Sequence, residues 1–79
     1  MSEKNKVLNI IKSVLKIESV DDITKEHTLN ALGANPFDVI EISMQIEEFL
    51  DIVDIENEGE EEWTVMTTVN QIIKFAESV

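Results

Sequence analysis

The segment that follows Asn35-Pro36 constrains the fold of this chain more than any other feature. Asparagine can cap the free backbone N–H groups of a helix start, and proline at the first helical position has no N–H to leave unpaired. Proline also holds the preceding residue in the extended conformation of an N-cap, and Asp38 meets the positive end of the helix dipole. Because no glycine follows until Gly59, we predict a helix over about residues 36–50.

Apolar residues at helical spacing predict a further helix near each end of the chain. The first covers about residues 3–16 with Ser2 as its N-cap, and the last begins after Thr67 or Thr68. Residues 17–35, between the first helix and Pro36, are a long connection, which disfavours an ordinary short-looped bundle. Its apolar residues are expected to anchor it to the core, above all Leu29 and Leu32.

Residues 51–67 allow two interpretations. Ile52, Val53 and Ile55 precede an acidic turn, residues 56–62, which Trp63 follows. The first interpretation, which we favour, is a short third helix with an acidic insertion; the second is a small β-hairpin that turns at Gly59. Trp63 is either a core anchor or an exposed contact, and the sequence does not decide between them.

The composition restricts the class of protein. A chain of 79 residues with 43% apolar residues predicts one small globular domain over residues 1–79. No apolar run approaches the roughly 20 residues of a membrane span, and the N-terminus lacks the apolar stretch of a signal peptide. The absence of cysteine excludes a disulfide framework and a thiolate zinc site. We therefore expect a cytoplasmic protein.

Charge is distributed unevenly along the chain. The net charge is −11, and all six basic residues are lysines. Twelve acidic residues and no lysine lie between Glu26 and Ile73, so this segment carries −12 and the remainder +1. Such a field repels nucleic acids and anionic membranes and attracts basic proteins. The alternative is that the acidic residues only keep a small protein soluble.

The predicted central helix has two apolar faces, because side chains advance by about 100° per residue. The face that we assign to the core holds Val39, Ile42, Ile46, Phe49 and Leu50. The nearly opposite face, called the apolar strip below, holds Phe37, Ile40 and Met44. Acidic residues surround the strip: Glu41, Glu47, Glu48 and Asp51. This pattern is typical of a docking surface; the alternative is that another helix or the long connection covers the strip.

Other chemistry has little support in the sequence. Residues 54–59 begin like a calcium-binding EF-hand loop, but the twelfth position is Val65 instead of a bidentate glutamate. His27, the only histidine, has no nucleophile or base around it and is interpreted as a surface loop residue. Two glycines do not make a phosphate-binding loop. We expect no metal site and no enzymatic activity.

The run from Leu32 to Glu48, LGANPFDVIEISMQIEE, resembles the signature of the acyl carrier protein family. In that family L-G-A-D-S-L-D leads into an acidic helix. The resemblance implies an all-α, small four-helix bundle with a long first loop and a short or irregular third helix. It also implies that Pro36 stands where the family has the serine that holds 4′-phosphopantetheine as a phosphodiester. Proline has no hydroxyl, so we expect no cofactor.

The resemblance further implies a surface, since the acidic second helix of carrier proteins docks on basic patches of partner proteins. We predict that the following residues contact a partner: Phe37, Asp38, Ile40, Glu41, Met44, Glu47, Glu48, Asp51, Glu60, Glu61, Glu62 and Trp63. The first hypothesis is therefore a non-enzymatic binding module, monomeric on its own, that docks a basic protein.

This hypothesis has two versions. The partner is a nuclease toxin, whose cationic groove an immunity protein or antitoxin would cover, or it is a carrier-dependent enzyme that the module regulates. The rival hypothesis is a true acyl or peptidyl carrier of fatty acid or polyketide synthesis. In that case Pro36 is an introduced change, or a modification elsewhere compensates for it.

Overall fold

Three α-helices form the framework of the computed structural model, which describes residues 2–79. They are α1 (Glu3–Leu15), α2 (Pro36–Leu50) and α3 (Val69–Ser78). Single turns of 3₁₀ helix lie in the connections, at Val20–Asp22, Asn30–Leu32 and Glu56–Glu58. No helix within residues 2–79 has both the length and the apolar character to cross a membrane. The three predicted helices are confirmed.

Local capping sets the first residue of each helix. Ser2 Oγ accepts a hydrogen bond from the Asn5 N–H at 3.2 Å, so Ser2 caps α1 as predicted. At α2, Asn35 Oδ1 accepts from the Asp38 N–H at 2.8 Å, and Asp38 Oδ2 accepts from the Asn35 N–H at 3.0 Å. This reciprocal pair satisfies two backbone donors that a helix start leaves without partners.

Thr68 caps α3, which resolves the choice between Thr67 and Thr68. Thr68 Oγ1 accepts from the Gln71 N–H at 3.2 Å, and Gln71 Oε1 accepts from the Thr68 N–H at 2.8 Å. Thr67 is buried, and its Oγ1 accepts from the Thr64 N–H at 2.9 Å. The first threonine therefore closes the turn before the helix, and the second begins the helix.

Backbone hydrogen bonds tie the long connection to the segment that enters α3. The N–H of Leu29 donates to Thr67 O at 3.0 Å, that of Asn30 to Val65 O at 2.7 Å, and that of Val69 to His27 O at 2.9 Å. Leu29 is fully buried and Leu32 is half-buried, so the predicted anchors hold the connection to the core. Residues that are about 40 positions apart in the sequence are thereby neighbours in space.

The core lies between the three helices. From α2 it receives Val39, Ile42 and Ile46, which are buried, while Phe49 and Leu50 pack half-buried at its edge. The predicted core face of α2 is therefore confirmed. The longest helix thus has its apolar strip on the side away from the core.

Residues 51–67 form neither an α-helix nor, within the described residues 2–79, a strand, so the four-helix count is not confirmed and the hairpin is not found. They contain one 3₁₀ turn, Glu56–Glu58, which Gly59 ends with a left-handed φ of 88°. Like charges four residues apart, as at Glu56 and Glu60, destabilise a helix. A segment this short would also need strong packing to become helical. Only Ile55 and Trp63 are buried in it before Thr67.

Candidate functional site

The apolar strip is exposed to solvent. Phe37 is 79% exposed, and Ile40 and Met44 are each 56% exposed. Neither α1, α3 nor the long connection covers these side chains. Within residues 2–79, the alternative that another part of the chain buries the strip is therefore wrong. Three large apolar side chains in one helical row are the kind of patch that marks an interaction surface.

The acidic residues at α2 that are predicted to contact a partner divide into two groups. Glu41, Glu48 and Asp51 are exposed. Asp38 and Glu47 are half-buried, and each holds a backbone group: Asp38 completes the N-cap of α2, and Glu47 Oε2 accepts from the Ile55 N–H at 3.2 Å. The first group is available to a partner, whereas the second also has a structural role inside the fold.

A groove of about 460 Å³ lies beside the strip, between α2 and residues 55–65. From α2 it is lined by Pro36, Val39, Ile40, Ser43, Met44 and Glu47, and from the other side by Ile55, Glu56, Glu62, Trp63, Thr64 and Val65. Ile40 and Met44 thus belong to both the strip and the groove. Sequence reasoning did not find the groove, although the apolar residues on each side of the acidic turn are the signal that points to it.

Trp63 is a core residue that also lines the groove. It is 6% exposed, and its ring meets the Phe75 ring edge to face, with 5.6 Å between the centroids and 87° between the planes. Its Nε1–H donates to Glu60 Oε2 at 3.3 Å. Of the two alternatives for Trp63, the structure therefore has the core anchor. Trp63 is therefore not an exposed residue, because its ring packs against Phe75 of α3.

Only some of the carboxylates of the acidic turn line the groove. Glu56 and Glu62 line the groove, and Glu60 is half-buried because it holds the indole of Trp63. Glu61 is exposed and does not line the groove. With Glu47 from α2, three carboxylates therefore line a groove whose other lining residues are apolar except for Ser43 and Thr64.

The first position of α2 has no hydroxyl group, because it is Pro36. Two hydroxyl side chains line the groove, and both take part in local hydrogen bonds. Ser43 Oγ donates to Val39 O at 2.8 Å, one helical turn back along α2. Thr64 Oγ1 accepts from the Met66 N–H at 3.1 Å. Ser43 is half-buried, in agreement with its interpretation as a small residue near the core edge.

A second cavity, of about 400 Å³, lies between α1 and α2 on another side of the molecule. Its lining residues are Lys6, Ile10, Glu41, Gln45, Glu48 and Phe49. Lys6 Nζ lies 5.7 Å from the centroid of the Phe49 ring, within the range of a cation–π contact. Gln45 Nε2 donates to Glu41 Oε2 at 2.8 Å. Here the acidic residues of α2 share a cavity with a lysine, unlike the carboxylates around the groove.

The remaining candidates have local structural roles. His27 Nδ1 accepts from the Thr24 N–H at 3.0 Å and so stabilises the turn at residues 24–27. In the acidic turn, Asp54 Oδ1 accepts from the Asn57 N–H at 2.7 Å. No group of three or more potential metal ligands within residues 2–79 is arranged to hold a metal ion.

The chain matches a model of a known protein family. The family model described as phosphopantetheine attachment site matches residues 5–57, about two thirds of the chain. The matched range includes most of α1, the long connection, α2 and the beginning of the acidic turn, and it ends before α3. Comparison with curated proteins and with solved structures found no match.

Proposed function

This chain belongs to the phosphopantetheine attachment family, and on that premise we propose that it is a carrier-like binding module that holds no 4′-phosphopantetheine and docks a basic protein partner. Domains of this family are acyl-carrier-like modules that are generally not catalytic themselves. The observation that carries the proposal is the start of α2, where Pro36 is followed at once by the exposed apolar strip.

The residues at the start of α2 do not fit the family's cofactor. Attachment requires a hydroxyl oxygen that becomes part of a phosphodiester, and Pro36 has only a saturated ring on its backbone nitrogen. The hydroxyls of Ser43 and Thr64, which line the groove, are engaged in local hydrogen bonds. What Pro36 supplies is structural, since its fixed φ suits the first position of a helix.

Docking is supported by the combination of an exposed apolar row with exposed carboxylates. Full burial of one large apolar side chain contributes about 1.5–3 kcal/mol, so the strip offers the central contacts of an interface. Glu41, Glu48 and Asp51 would orient a basic surface and raise its rate of encounter. The net charge of −11 acts in the same direction at longer range.

Two kinds of basic partner suit this surface. One is a nuclease toxin, whose cationic groove an acidic immunity protein or antitoxin covers by occlusion, without any chemistry. The other is a carrier-dependent enzyme, which the module regulates by occupying the docking patch of a true carrier. A toxin gene beside the gene of this chain would favour the first, and a lipid or polyketide gene cluster would favour the second.

Incubation with coenzyme A and a phosphopantetheinyl transferase, followed by intact mass measurement, tests the absence of the cofactor. We expect no change in the mass of the natural chain. The positive control is the double variant Asn35→Asp, Pro36→Ser, which restores the family's residues and should gain one 4′-phosphopantetheine unit. A gain in the natural chain, mapped to Ser43, Thr64 or another residue, would make it a true carrier and overturn the proposal.

A further inference from the structure

We infer that the groove between α2 and residues 55–65 receives an apolar side chain from a cationic, amphipathic segment of the partner. This inference rests on the proposed docking function and adds to it the place where the central anchor enters. The occupant would be a peptide segment that bears one large apolar residue with lysine or arginine beside it.

The interior of the groove suits an apolar anchor. Val39, Ile55, Trp63 and Val65 line it, and its volume of about 460 Å³ is within the roughly 300–1,000 Å³ of small-ligand pockets. Because Ile40 and Met44 also line it, a segment that lies along the strip can place one side chain in the groove without changing direction. A pocket of this kind beside an exposed apolar row is the usual place of the strongest contacts of an interface.

The charges around the groove favour an occupant with positive charge. Glu47, Glu56 and Glu62 line it, and among residues 2–79 no lysine does. A fatty acid would bring its carboxylate toward these three acids, where like charges repel, whereas ammonium or guanidinium groups would be attracted. Charge complementarity therefore favours a basic peptide over an anionic lipid.

The walls of the groove are held in place before any partner arrives. The Ile55 N–H donates to Glu47 Oε2, which joins the far wall to α2 at one end. At the other end, Trp63 packs against Phe75 of α3. A site that is already formed loses less conformational entropy on binding, so more of the contact energy appears as affinity.

A pair of synthetic peptides tests the inference. The first is an amphipathic helical peptide of lysine and leucine, and the second is the same peptide with its central leucine replaced by alanine. Titration calorimetry gives both affinities, and the fluorescence of Trp63, the only tryptophan, reports whether the groove is occupied. We expect the leucine peptide to bind about tenfold more tightly, since an apolar side chain of this size is buried.

The matched variants are Val65→Phe and Val53→Phe. Val65 lines the groove, so the larger ring fills it, whereas Val53 is 84% exposed and does not line it. We expect Val65→Phe to abolish the preference for leucine over alanine and Val53→Phe to preserve it. Circular dichroism of both variants checks that the helices are intact. If Val65→Phe does not fold, Ser43→Leu fills the same groove from α2 and takes its place.

Equal affinity for the leucine and alanine peptides would overturn the inference, and so would a leucine preference that survives filling of the groove. A third contrary result is a change in Trp63 fluorescence with decanoate but not with the leucine peptide. The last would make the groove a fatty acyl site. The variant Glu41→Lys, Glu48→Lys separates this failure from that of the proposed function. If this variant lowers the affinity for both peptides equally and no leucine preference exists, docking on α2 stands and only the groove is excluded as the place of the anchor. If it changes neither affinity, docking on α2 itself is wrong.

Discussion

Positions 40 and 42 of α2 are both isoleucine, but Ile40 is exposed to solvent and Ile42 is buried. Ile42 is fully buried in the core, whereas Ile40 is 56% exposed beside the groove. Two residues along a helix correspond to about 200° of rotation, which places the two side chains on opposite faces. The comparison teaches that one helix of this chain has two separate apolar faces, of which one is buried in the core and the other is exposed.

The largest expected effect comes from truncation on the core face. Ile42→Ala should lower the free energy of unfolding by about 2–5 kcal/mol, because it leaves a cavity in a packed core. Ile40→Ala should change it by no more than about 0.5 kcal/mol, since its side chain is largely in water already. Urea unfolding followed by circular dichroism measures both values. A loss at Ile40 equal to that at Ile42 would show that the two faces are not distinct.

Truncation on the strip face should have the reverse effect, on binding and not on stability. A pull-down from the native host, with identification by mass spectrometry, supplies the partner. Phe37→Ala should then raise the Kd by about tenfold or more, because burial of one large apolar side chain contributes about 1.5–3 kcal/mol. Its unfolding curve should match that of the natural chain.

The control for Phe37→Ala is Val53→Ala, which also shortens an exposed apolar side chain but lies outside the strip. Val53→Ala should leave the Kd unchanged. If both variants weaken binding alike, or neither does, the interface lies elsewhere on the molecule.

Reversal of charge beside the strip should weaken the association with a basic partner. Glu41→Lys with Glu48→Lys should slow association by about tenfold at low ionic strength and flatten the dependence of affinity on salt. The control Glu3→Lys with Glu77→Lys makes the same change in net charge at exposed acids of α1 and α3. Surface plasmon resonance over a range of salt concentrations distinguishes local from overall charge. Equal slowing by both pairs would mean that only net charge matters.

The smallest expected effect concerns Asp51, which ends α2 in the left-handed conformation at φ 56°. Glycine adopts this conformation without steric cost, so Asp51→Gly should stabilise the fold by up to about 1 kcal/mol in thermal unfolding. If the carboxylate contacts a partner, the same variant should bind more weakly. Asp51→Asn removes the charge while tolerating the conformation, and it should show the loss of binding without the full gain of stability.

The helices could be predicted because their signals are local. Ser2, Asn35 and Thr68 each bond to a backbone N–H three residues ahead, so a short stretch of sequence contains the whole cap. Apolar periodicity then identified the core face of α2 for the same reason, since it depends only on helix geometry. Residues 51–67 lack such signals, because their acidic residues oppose a helix and their three buried residues, Ile55, Trp63 and Thr67, follow no regular helical or strand spacing.

The sequence by itself therefore determined the three helices, the two apolar faces of α2, the proline at its first position and the uneven charge. Only the tertiary structure decided that the apolar strip stays uncovered, because its exposure depends on where the other elements of the fold pack, which no local pattern contains. The tertiary structure also decided between burial and exposure of Trp63, which is buried and packs against Phe75 of α3. The groove too depends on tertiary structure, because it is lined by α2 and by residues 55–65, which are separate segments of the chain. Its volume follows from how these two segments pack.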